Sequence, residues 1–138
     1  MGRKLSFEQI NVGDRVQPIK VTIDRERLLR YCKVIKEVNP LHFDEKYARS
    51  LGFKDIVVQG VFTFGYIIKT LTDWIGDPRC IKEIRVRFMS PMCAGDTAIF
   101  TGVVKRKVEA GKLIECEMWG EKEGGEKIIE AIATISLE

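Results

Sequence analysis

An α+β domain is the fold class that this sequence predicts, and two observations carry the prediction. Residues 61–75 hold Val61, Phe62, Phe64, Ile67, Leu71 and Ile75 among other apolar residues on nearly every side, which predicts a helix buried on most sides. From Cys80 onward the hydrophobic period changes to two, as half-buried strands require. A sheet that buries such a helix must wrap around it.

Each element can be justified in turn. Before residue 23, Val16 and Val21-Thr22 are β-favouring pieces broken by a Gly13-Asp14 turn and Pro18, and they predict one strand. Thr22 then serves as the expected N-cap of a helix, with Asp24 and Glu26 in its first turn, where negative charge suits the helix dipole. Leu28, Tyr31, Cys32 and Ile35 form its apolar stripe. Pro40 cannot sit inside a helix and pushes Asn39 toward extended backbone, so this helix is expected to end near Val38. Asp44 caps a short helix that Gly52 terminates, and residues 53–59 return as extended chain, placing Gly60 at the mouth of the apolar helix. In the second half, Ile84, Val86 and Phe88 alternate with charged residues, as do Ile114, Cys116 and Met118. Residues 98–108 and 129–137 supply two more strands, with hairpin turns at Ala110-Gly111 and Gly124-Gly125. The sum is a five-stranded antiparallel sheet around a long central helix.

At 138 residues the chain is long enough for one cored domain, taken as residues 1–138. Hydrophobic residues make up 45% and charged ones 31%, a soluble balance with no stretch apolar enough to span a membrane. The net charge of +3 comes from 23 basic and 20 acidic residues that are interspersed, which argues against a nucleic-acid footprint. Lys105-Arg106-Lys107 reads as a solvated hairpin end. Cys32, Cys80, Cys93 and Cys116 include no Cys-x-x-Cys pair, so neither a metal site nor a disulfide framework is expected and a reducing cytoplasm fits best. Met1-Gly2-Arg3-Lys4-Leu5-Ser6 matches the loose myristoylation pattern, a match short enough to be chance.

The chemistry concentrates between Glu37 and Gly60. The stop at Pro40 gathers Glu37, Asn39 and His42 around one sharp turn. His42 is the only histidine, and imidazole titrates near ~6.5, so it exchanges a proton near neutrality without special tuning. A neighbouring carboxylate can orient it or share the work. The bland alternative is a plain Asn-Pro helix stop beside a structural histidine.

Tyr31, Glu37-Val38-Asn39-Pro40-Leu41-His42 and Ala48 resemble the signature of the MaoC-like dehydratases and (R)-specific enoyl-CoA hydratases, where an aromatic residue precedes Gly-Asp-x-Asn-Pro-apolar-His. The resemblance continues through Gly52-Phe53, Ile56-Val57-Val58, Gly60, residues 88–91 and Gly95-Asp96-Thr97. Lys36 stands where the family has glycine, and Glu37 where it has aspartate. The resemblance implies a hot-dog fold with residues 61–75 as its central helix, side-by-side pairing into a homodimer, and no cofactor. It also implies a substrate carried as an acyl-CoA or acyl carrier protein thioester.

Reversible addition of water to a trans-2-enoyl thioester needs proton transfers at two carbons and stabilisation of an enolate-like oxygen. His42 and Glu37 would serve as the base and acid partners. The backbone N–H of Gly60 would serve as oxyanion hole, unless Gly60 only marks a tight turn. Asn39 would fix the turn or bind the water. Phe62, Phe64 and Met89 either line an acyl tunnel or pack the core, and Lys82, Arg85 and Arg87 either meet phosphates or form a solvated strand face. Two other readings stand beside the hydratase. One is a catalytically silent hot-dog subunit supporting a partner, against which the presence of Asn39 and His42 argues. The other is a thioesterase, whose central-helix carboxylate has only Asp73 as candidate.

Overall fold

The computed structural model describes residues 5–138, so Met1 to Lys4 of the acylation pattern lie outside the described residues. Eight elements follow one another: β1 (Arg15–Thr22), α1 (Arg25–Val34), α2 (Glu45–Ser50), α3 (Gly60–Ile75), β2 (Ile81–Phe88), β3 (Thr97–Val108), β4 (Leu113–Lys122) and β5 (Lys127–Ser136). Short 3-10 turns at Phe7–Gln9, Pro40–His42 and Pro78–Cys80 join them. The strands form one sheet in the order β1-β3-β4-β5-β2, antiparallel throughout. Both expected hairpin turns are present, with Gly111, Gly124 and Gly125 at positive φ.

The sheet curves over α3, which contacts β1, β3, β4 and β5. Thr63, Ile67, Thr70, Leu71 and Ile75 give α3 its buried stripe. Opposite them Val61, Gly65 and Lys69 are exposed and Phe64 and Ile68 only partly covered, so the helix is buried on one face and not on most sides. On that other face Phe64 packs against the core only in part and Val61 is 58% exposed. Beneath the helix the core is closely fitted: a Cβ on Gly120 would stand 2.5 Å from the ring of fully buried Phe100. Only glycine admits that ring at that distance.

Two boundaries differ from expectation. Thr22 stays in β1, its hydroxyl 2.8 Å from that of Thr97, and Asp24 caps α1 instead by accepting from the Glu26 N–H at 3.1 Å. The end of α1 comes at Val34, not near Val38, because Lys36 adopts left-handed backbone at φ 55°. The Lys36 N–H reaches the Lys33 carbonyl at 3.2 Å and the Glu37 N–H the Cys32 carbonyl at 2.9 Å, the paired bonds of a Schellman helix end. Pro40 then starts a separate turn, so the proline follows a helix that a left-handed lysine had already closed. Residues 53–59 form no ladder beyond one bridge between Val57 and Cys93.

The basic run Lys105-Arg106-Lys107 lies on β3, where Lys105 and Arg106 face Glu117 and Glu115 across the sheet. Lys107 instead caps the first 3-10 turn through the carbonyls of Phe7 and Ile10. All four cysteines are free and buried, and burial pushes the Cys116 thiol up to about 12. Among the described residues no helix is long and apolar enough to cross a membrane.

Candidate active site

The Schellman end of α1 delivers Glu37 at a fixed place and the 3-10 turn at Pro40–His42 delivers His42 beside it. Asn39 caps that turn, its Oδ1 accepting from the Leu41 N–H at 3.0 Å. The carboxylate of Glu37 folds back over its own chain. Oε2 accepts from the Val38 N–H at 3.1 Å and the Asn39 N–H at 3.4 Å, while Oε1 accepts from Gln59 Nε2 at 3.1 Å. The Gln59 amide holds the Glu37 carboxyl below its ordinary range against the opposing effect of desolvation, and the Asn39 N–H, His42 and the Val38 N–H add to the lowering.

His42 Nδ1 lies 2.7 Å from the carbonyl of Val57. A carbonyl only accepts, so Nδ1 carries a proton, and in the neutral ring the lone pair lies on Nε2. Cys32 completes the arrangement: its thiol donates to the His42 carbonyl at 3.4 Å and accepts from Gln59 Nε2 at 3.3 Å. Residues 57–59 therefore hold both Glu37 and His42, and Gly60 comes next. Gly60 opens α3 and is exposed, and amides in a helix's first turn have no acceptor within the helix. The lack of a side chain has a structural use too, since a Cβ there would come within 3.1 Å of the Phe88 ring.

A cavity of about 630 Å³ opens beside Glu37, with Leu29, Cys32 and Phe43 in its wall and the cations Arg30, Lys33 and Lys36 around it. A second, of about 280 Å³, is lined by Gly60, Phe88 and Met89 among others. Of the proposed acyl-tunnel residues only Met89 lies there, and Phe62 packs edge-on between Tyr31 and Tyr66. Arg85 and Arg87 line a separate groove with Glu117 and Glu130, and Lys82 another with Asp77, so neither group joins the Glu37 cavity. Asp73 is engaged by Lys69 at 2.8 Å near the far end of α3. Among the described residues no group of three or more His, Cys, Asp or Glu side chains stands ready to hold a metal ion.

The sequence alone gives Gln59 no role and marks Cys32 only as part of the apolar stripe of α1. The signal for Gln59 was available: it is the polar residue that ends the apolar run Ile56-Val57-Val58 just before the glycine.

A hot-dog domain with a carboxylate and an imidazole gathered at the start of its central helix defines the class. Residues 7–124 match the MaoC like domain family, and the chain belongs to it. It is 27% identical to the (R)-specific enoyl-CoA hydratase of Rhodospirillum rubrum, covering 95% of this chain and 90% of that protein. Over 88 residues it is 33% identical to the peroxisomal enoyl-CoA hydratase 2 of Arabidopsis thaliana, covering 60% of this chain but 28% of that longer protein. A solved structure described as a MaoC-like dehydratase superposes with a TM-score of 0.90 at 25% identity, covering 98% of this chain and 43% of the other.

Proposed function

We propose that this protein is an (R)-specific enoyl-CoA hydratase, acting reversibly on trans-2-enoyl or 3-hydroxyacyl thioesters. The observation that carries the reading is the common anchoring of Glu37 and His42 by residues 57–59, immediately before the open first turn of α3. In the hydration direction the water oxygen bonds to C3 of the enoyl group while the C2=C3 electron pair moves toward the thioester carbonyl. Glu37 and the open Nε2 of His42 take the proton from water and return one to C2. The Gly60 N–H meets the developing enolate oxygen, aided by the positive end of α3. No cofactor is needed for these steps.

The cations Arg30, Lys33 and Lys36 around the cavity suit a thioester carrier that bears phosphate, as both coenzyme A and acyl carrier protein do. The half-covered outer face of α3 and the open edge at β2 suit a homodimer, and four buried free thiols suit the cytoplasm. The assay is loss of conjugated-double-bond absorbance on incubating the protein with trans-2-enoyl-CoA esters of short and medium chain. Turnover at any chain length is expected. None at any length would leave the silent-subunit reading, and free coenzyme A as product would mark a thioesterase.

A further inference from the structure

Gln59 is 4% exposed and its two amide hydrogens are both committed, one to Glu37 Oε1 at 3.1 Å and one to Cys32 Sγ at 3.3 Å. Its own Oε1 is buried and has no hydrogen-bond partner among the described residues. Turning the amide over brings no relief, because it would set that oxygen against the Glu37 carboxylate. A buried acceptor without a donor destabilises a fold, and an apolar side chain of equal length would remove it. Packing alone therefore gives no reason for glutamine at this position. The reason lies at the other end of the amide.

We propose that Gln59 is a positioning residue, whose amide aims the Glu37 carboxylate at the cavity and ties it, through Cys32, to the turn that carries His42. The contacts form a closed circuit. Gln59 bonds Glu37 and Cys32, Cys32 bonds the His42 carbonyl, and the His42 ring bonds Val57, two residues before Gln59. Two segments far apart in sequence are locked so that neither proton-transfer group can swing without disturbing the other. The charged groups that line the cavity with Glu37 are Glu26, Arg30, Lys33 and Lys36 on and just beyond α1, with Cys32 in the wall, and His42 acts on the carboxyl from its own turn. Among the groups acting on the Glu37 carboxyl, the Gln59 hydrogen bond is the largest.

The inference rests on the hydratase reading, and its test separates the two. On the full chain, the Gln59→Met variant would be compared with wild type by thermal melting, by carbon-13 titration of the Glu37 carboxyl, and by kinetics with trans-2-enoyl-CoA across pH. The expected result is a melting temperature no lower than wild type and a Glu37 midpoint moved upward. The value of kcat should fall by at least ~10-fold while KM changes less than about twofold, as misplacement of a reacting group implies. The acid limb of kcat/KM should rise with the Glu37 midpoint. An unmoved midpoint, or a lowered melting temperature with equal loss of activity at every pH, would overturn the proposal. Should the variant fail to fold, the wild-type side-chain amide resonances of Gln59 decide the matter: they must shift with the Glu37 midpoint, and indifference to it refutes the contact. Absence of turnover by the wild type would sink the hydratase reading and still leave these titrations to say whether Gln59 holds Glu37.

Discussion

On the α1 side of the proposed site each proton-transfer side chain is bonded to another segment, Glu37 to Gln59 and His42 to Val57. On the α3 side the N-cap residue Gln59 turns its side chain away from the helix and makes no capping hydrogen bond to it, and Gly60 and Val61 are exposed. The difference follows from what each side contributes. A carboxylate or an imidazole on rotatable bonds has to be held, whereas a backbone N–H is already aimed by its helix. Polar fixation is therefore concentrated where rotamers would otherwise wander. The α3 side needs room instead of restraint.

Breaking the held side should have the largest effect. His42→Ala and Glu37→Gln are each expected to lower kcat by about 10² to 10⁴, the usual range for general acid–base groups, with little change in melting temperature. Full activity in Glu37→Gln would remove the carboxylate from the mechanism, while Glu37→Asp is expected to retain activity. Next in size is the crowding of the open side. Gly60→Ala keeps the N–H but presses on the half-exposed Phe88 ring, and a drop in kcat/KM of roughly tenfold is expected from the displaced approach.

A pH profile sharpens the comparison further. Because the Glu37 carboxyl is held below its ordinary value of 4.5, the limb due to Glu37 should lie below pH 4.5, with activity present above that limb and lost as pH falls through it. Any stability that its contacts supply follows the same sign, present above 4.5 and lost on acidification. Glu37→Gln should abolish that limb. The smallest effect belongs to Lys36→Gly, which relieves left-handed backbone at φ 55° and should raise stability by about 1 kcal/mol, a melting-temperature gain of a few degrees. The value of kcat should not change, while KM should rise slightly because one of the three cations around the cavity is lost.

The strands of the second half were legible because a period of two leaves a regular trace in the sequence, and both hairpins were marked by glycine. The end of α1 was not. Lysine at the left-handed position carries none of the signal that glycine gives, so the sequence points to Pro40 as the stop although the helix closes at Val34. The covering of α3 was overestimated for a different reason, since apolar composition reports what a face can bury and not whether this chain supplies the cover. Glu37 and His42 stand out in the sequence through spacing around Asn39-Pro40, and the structure bonds both to residues 57–59. Glu37 is a methylene longer than the aspartate of the family signature, and its side chain folds back onto the amides of Val38 and Asn39. Gln59 escaped notice because its partners lie 22 and 27 residues away, a distance that no local pattern spans.

The residues of the polar circuit all fall between Cys32 and Gln59, ahead of the first of the four strands that make up most of the sheet. Scaffold and chemistry thus occupy separate stretches of one chain. Drift in residues 81–136 can reshape the surface around Phe88 and Met89, and with it the acyl groups that the proposed site would admit, without removing a side chain of the circuit. Selectivity and reactivity are left free to evolve on different clocks.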